Sequence, residues 1–270
     1  MKTLLKYDTS FSSQNEYKTD APKHSPKLFP SFYFYTHLVG IIFRSNRFAK
    51  KGIYNDERWS NSSADVVRSM EKTGVKFHFL GSDNFKKVAG PVIFIGNHMS
   101  TLEVMSLPSI IQPNKKVVYV IKQELADYPL FGPVALARDP ICVGRENPRE
   151  DLKIVMEEGS KRIQNGKSII IFPQKTRTQF FDAASFNSLG VKLAKRNNVP
   201  VVPVAVLTDA WGNGKMIKDF GKIDPNKTVN ICFGEPFEVK GNGAEEHQRV
   251  IDFISGKLIE WGRPELIVKG

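Results

Sequence analysis

The chain has 270 residues, of which 41% are hydrophobic and 25% charged, and it carries a formal charge of +11. That length allows a substantial core and the composition is that of a globular domain. The excess of Lys and Arg points to anionic partners, namely nucleic acid, an anionic membrane leaflet or phosphorylated small molecules. Cys142 and Cys232 lie far apart and outside any Cys-x-x-Cys spacing, which argues against a disulfide framework or a cysteine zinc site and makes a reducing compartment the default.

Residues 1–27 are mostly Lys, Ser, Thr, Asn and Asp and lack the apolar centre of a signal peptide. They are expected to form a flexible basic tail. Residues 28–54 follow as an aromatic helix with Phe29, Phe32, Tyr33, Phe34 and Tyr35, running into Arg44, Arg47, Lys50 and Lys51. Aromatics beside a basic cluster suit a helix lying among lipid headgroups. A helix packed on the core or on a second subunit reads the same way. No window reaches the roughly 20 apolar residues of a membrane span.

Residues 55–270 read as one domain. A helix over 57–72, with Trp59, Val66, Val67 and Met70, ends at Gly74, and alternation over 75–80 predicts a strand. Apolar runs recur at 92–95, 117–121, 141–143, 168–172, 201–206 and 229–233, with helical segments between most of them. This alternation predicts an α/β domain with a largely parallel central sheet flanked by helices. The clearest helix opens at Asn147-Pro148, where Glu150 is placed to complete the cap, and Leu152, Val155, Met156 and Ile163 are expected to form its buried stripe.

His24, His37 and His247 fall in the tail, the aromatic helix and a charged stretch, and His78 alternates with Phe77 and Phe79 as a sheet-face residue. His98 differs. It follows the apolar run 92–95 directly, at the strand end where α/β sheets place their sites. Glu103 stands five residues on. Within one continuous helix the two would point about 140° apart, so they meet only if His98 stays in the loop and Glu103 enters the first helical turn. Ser100-x-x-Glu103 is also a capping box, in which Glu103 reaches back to a backbone N–H. Both readings put Glu103 in the first turn.

A second strand end, after 168–172, carries Pro173-Gln174-Lys175-Thr176-Arg177, with cations and hydroxyls suited to an anionic oxygen or simply to a solvated turn. Arg145 follows the run 141–143 in the same manner. Other chemistries fail. Gly166-Lys167-Ser168 precedes a strand where a phosphate loop would follow one, and there is no Gly-x-Ser-x-Gly elbow, His-Glu-x-x-His helix or dinucleotide fingerprint. No metal, no nucleotide cofactor and no nucleic-acid partner is expected.

Taken together, Asn97-His98 with Glu103, the loop ending in Gly144-Arg145, Phe172-Pro173-Gln174-Lys175-Thr176-Arg177, and Val202-Pro203-Val204 resemble, in order, the four blocks of the glycerolipid acyltransferase family over roughly residues 55–260. The resemblance implies an O-acyltransferase that moves a fatty acyl group from acyl-CoA or acyl carrier protein to a lysophospholipid hydroxyl, most simply that of 1-acylglycerol-3-phosphate. His98 would be the general base and Glu103 its orienting carboxylate. Arg145, Gln174, Lys175, Thr176 and Arg177 would bind the acceptor, and Val202, Pro203 and Val204 would line the acyl passage.

It further implies a peripheral protein on anionic lipid at the cytoplasmic face of the inner or plasma membrane. Departures from the pattern are Glu103 for the usual Asp, Gln174 for Glu, and Lys175 for a Gly whose backbone freedom Lys lacks. These departures bear on the acceptor, so a glycolipid or amino-lipid acceptor, or a lipid-binding scaffold without turnover, stays open.

Overall fold

The computed structural model describes residues 6–20, 28–144, 146–214 and 218–268. In chain order the elements are β1 (Glu16–Lys18), α1 (Pro30–Lys50), α2 (Asp56–Glu71), β2 (Lys76–Leu80), α3 (Ser82–Lys86), β3 (Ile93–Gly96) and α4 (Thr101–Ile111). There follow β4 (Val117–Lys122), α5 (Gln123–Asp127), α6 (Gly132–Leu136), β5 (Ile141–Val143), α7 (Pro148–Gln164), β6 (Ser168–Ile171), α8 (Leu189–Asn197), β7 (Val201–Leu207), β8 (Thr228–Phe233) and α9 (Ala244–Glu260). The strands form one sheet in the order β1-β2-β8-β7-β3-β6-β4-β5. β7, β3, β6, β4 and β5 run parallel, while β8 turns antiparallel to β7 and β1 antiparallel to β2.

The α/β architecture follows the hydrophobic runs. β3, β6 and β7 are buried at every position, as strands covered on both faces must be. The helices begin and end where local chemistry dictates. Asn55 caps α2 through Arg58 N–H, and the Asn147 side chain accepts from the Arg149 and Glu150 amides at the head of α7. Val155 and Ile163 of α7 are buried as expected, but Leu152 is 40% exposed. Its place on the stripe is taken by Gly159, where a β-carbon would stand 2.9 Å from Leu193. The close approach of α7 to α8 therefore needs the missing side chain.

The expectation of a flexible tail over residues 1–27 is corrected for residues 6–20. β1 pairs with the edge of β2, Tyr17 opposite Phe79. Phe11 is 2% exposed, edge-on to Tyr17 at 4.8 Å. Glu71 accepts hydrogen bonds from Tyr17 at 2.7 Å and Thr19 at 2.6 Å, and Glu16 meets His78 Nε2 at 2.8 Å. An open strand edge needs cover, and two aromatic anchors inside a polar stretch suffice to dock it. His24 lies outside the described residues.

Helix α1 packs one face on the core, as the second of the two readings of its sequence has it. Phe34 and Leu38 are buried, and Phe34 packs edge-on to Trp211 at 4.8 Å. Phe32, Val39 and Phe43, spaced seven and four residues apart on the opposite stripe, are exposed. Among the described residues no helix is long and apolar enough to cross a membrane.

Candidate active site

The site lies at the carboxyl ends of β3, β6 and β7, which the strand order sets side by side. Gly96 closes β3 because a β-carbon there would stand 2.9 Å from the Val204 carbonyl oxygen. The buried Asn97 side chain then exchanges two hydrogen bonds with the Val206 backbone, donating at 2.9 Å and accepting at 2.8 Å. This pairing fastens the β3 exit to β7 and holds His98 outside the helix. Ser100, in an extended conformation, caps α4 by accepting from Leu102 N–H at 3.0 Å.

Glu103 is wholly buried in the first turn of α4. Its Oε1 accepts from His98 Nδ1 at 2.8 Å, from Met99 N–H at 2.7 Å and from Ser100 N–H at 2.9 Å. Its Oε2 accepts from the Thr208 hydroxyl at 2.6 Å. The capping box and the His–carboxylate pair therefore coexist in one side chain. Burial pushes the Glu103 carboxyl up, but the hydrogen bond and charge of His98, with Thr208 and Ser100, outweigh it and hold the group below its ordinary value. An ionised carboxylate facing Nδ1 fixes the proton there and leaves Nε2 as the acceptor. The ring of Phe172 stacks on the imidazole at 4.6 Å, blocking one face.

The third-block residues divide. Gln174 was expected among the substrate contacts, but it is 5% exposed and its Oε1 accepts from the His98 backbone N–H at 2.6 Å. A part-buried loop amide needs a partner, and Gln174 is that partner. Lys175 and Thr176 are exposed on the site rim. Among described non-glycine residues only Asp139 and Asn198 have positive φ, so Lys175 sits in ordinary backbone and the feared strain is absent. Arg177 reaches the site and donates to the Thr101 hydroxyl and the Asp219 carboxylate. Arg145 lies outside the described residues.

Val202, Pro203 and Val204 were expected to line an acyl passage. They are buried inside β7 between β3 and β8, so they pack the sheet interior instead. Their apolar character serves a strand covered on both faces.

Four contributors lay outside the sequence reading. Thr208 follows β7 much as His98 follows β3, so the same strand-end signal marks it. Asn97 and Phe172 stood in the recognised blocks without a role. Asp219 sits in an irregular segment and carries no local signal. Burial pushes its carboxyl up, yet the hydrogen bonds of Arg177 and Thr101 bring it below its ordinary value.

The family model described as Acyltransferase matches residues 76–207. The 1-acyl-sn-glycerol-3-phosphate acyltransferase of Pseudomonas aeruginosa is 26% identical over 191 residues, covering 69% of this chain and 70% of that protein. The enzyme of the same name from Limnanthes douglasii is 31% identical over 147 residues, 52% of this chain and 49% of its own length. The chain thus spans only about half of that plant relative. The crystal structure of the 1-acyl-sn-glycerophosphate acyltransferase PlsC from Thermotoga maritima superposes with a TM-score of 0.60 at 20% identity, over 86% of this chain and 95% of that one, and shows the shared fold. Residues 76–207, which contain the His98–Glu103 pair, thus form an acyltransferase-family segment.

Proposed function

We propose that the protein transfers a fatty acyl group from a thioester of coenzyme A or acyl carrier protein to the free hydroxyl of 1-acylglycerol-3-phosphate, giving phosphatidate. The observation that carries this reading is the 2.8 Å contact between His98 Nδ1 and a buried, ionised Glu103. His98 Nε2 takes the proton of the acceptor hydroxyl as its oxygen attacks the thioester carbonyl carbon. The carbon–sulfur bond then breaks, and the thiolate leaves with the proton returned from the imidazolium. Glu103 offsets the positive charge the ring carries in between. No enzyme nucleophile takes part.

The names of the curated relatives support the acceptor. So does Arg177, a cation at the site mouth suited to a phosphate. The exposed stripe of α1 supports action at a lipid surface, with Phe32 at 73% and Phe43 at 59% exposure. Beside Phe43 the end of the same helix carries Arg44, Arg47, Lys50 and Lys51, cations that suit anionic headgroups on a cytoplasmic leaflet.

Purified protein incubated with acyl-CoA or acyl carrier protein thioesters and lysophosphatidate should yield phosphatidate by mass spectrometry. His98→Ala should abolish it. Full activity in that variant, or acylation confined to acceptors without phosphate, would sink the reading.

A further inference from the structure

The Arg177 guanidinium that the acceptor phosphate needs already holds an anion from this chain. Arg177 donates to Asp219 Oδ1 and to the Thr101 hydroxyl, and Thr101 Oγ1 donates in turn to the same Asp219 oxygen at 2.8 Å. Thr101 is the first residue of α4, an eleven-residue helix whose amino end favours negative charge. Cation, hydroxyl and helix end thus converge on one carboxylate, as they would on a phosphate oxygen.

The backbone presenting Asp219 is anchored from several directions. Its carbonyl accepts from Trp211 Nε1 at 3.1 Å, the Gly221 carbonyl accepts from Tyr35 of α1 at 2.5 Å, and Lys218 Nζ meets the Thr176 hydroxyl at 3.1 Å. The side chain itself is 37% exposed. A rotamer change of that one side chain therefore releases Arg177 while the backbone stays where it is.

We propose that Asp219 is a specificity-determining residue of the acceptor end, and that its carboxylate occupies the position the acceptor phosphate takes. The inference rests on the phosphate-bearing acceptor proposed above. A phosphomonoester carries about −1.5 to −2 charges and three acceptor oxygens, so it outcompetes a singly charged carboxylate for Arg177. A phosphodiester carries one charge and gains little over the carboxylate it must displace. Asp219 thereby sets a threshold that favours phosphomonoester acceptors over phosphodiesters, while an uncharged acceptor leaves the ion pair untouched.

The test is Asp219→Asn in the full chain, assayed with lysophosphatidate, lysophosphatidylglycerol and monoacylglycerol. KM for lysophosphatidate should fall about fivefold, the scale of a part-exposed ion pair, with kcat nearly unchanged. KM for lysophosphatidylglycerol should fall at least as far, and turnover of monoacylglycerol should stay as in the wild type. In an Arg177→Ala background the same substitution should bring no gain. Unchanged KM values, or a parallel shift for phosphate-bearing and phosphate-free acceptors, would overturn the assignment. Asp219→Ser carries the same expectation if the Asn variant does not fold.

Calorimetric titration with glycerol 3-phosphate keeps the two readings apart. Binding about fivefold tighter in Asp219→Asn supports the inference even if the wild type acylates none of these acceptors, an outcome that would instead refute the proposed activity. Unchanged affinity overturns the inference whatever the turnover.

Discussion

Replacing Glu103 with Gln preserves the shape of a wholly buried side chain and removes its charge. The Gln carbonyl oxygen can inherit the Oε1 contacts with His98, Met99 and Ser100, at 2.8, 2.7 and 2.9 Å. The new amide nitrogen faces the hydroxyls of Thr208 and Ser100, which lie 2.6 and 3.0 Å from Oε2 and accept once they rotate. Folding then loses only the charge assistance of these bonds, about 1–2 kcal/mol. The transition state loses more, because an imidazolium forms against a neutral partner in a buried site. A loss of about 3–5 kcal/mol lowers kcat by roughly 10²–10⁴-fold. KM should change little, since Glu103 touches no acceptor atom. Thiol release from acyl-CoA reports the rate, and thermal unfolding by circular dichroism reports the fold. A folded Glu103→Gln protein with kcat within about threefold of wild type would refute the role given to the carboxylate.

Further outcomes follow from neighbouring contacts. Because the Glu103 carboxyl is held below its ordinary value of 4.5, it contributes stability above that value and loses it as pH falls through the lower folded value. The difference in unfolding free energy between wild type and Glu103→Gln should therefore narrow on acidification from about pH 7 to about pH 3 in urea titrations, and a gap independent of pH would contradict this. Gln174→Leu strands the His98 amide and should lose about 1–3 kcal/mol and much of kcat, whereas Gln174→Glu, which keeps an acceptor, should retain both. Phe11→Ala should destabilise the protein by about 3 kcal/mol in urea unfolding, a change that a flexible tail would not produce. Phe32→Ser with Phe43→Ser should weaken binding to anionic vesicles at least about tenfold, leaving turnover of a short-chain soluble acceptor intact.

The legible parts of this molecule share a physical cause. Strands buried on both faces must be apolar throughout, so β3, β6 and β7 announce themselves as continuous runs, and helices between them imply a parallel sheet. The His98–Glu103 contact was equally accessible, because it spans five residues and the Ser100 cap fixes where the helix begins. β1 was hidden for the opposite reason. A three-residue edge strand in polar sequence has too little pattern to register, and only the open edge of β2 gives it a partner.

The order of residues by itself determined the α/β class and the strand end at which His98 and Glu103 meet, since each is written in local spacing. Tertiary structure alone decided the rest. It set β3 between β6 and β7, so that Thr208 reaches Glu103 across 105 positions and Asn97 reaches Val206 across 109. It turned Gln174 inward to the His98 amide and sank Val202, Pro203 and Val204 into the sheet. It also brought Asp219 onto Arg177, 42 residues away. Side-chain chemistry states what a group can do, but which partner it meets depends on strand order and on the burial that order imposes.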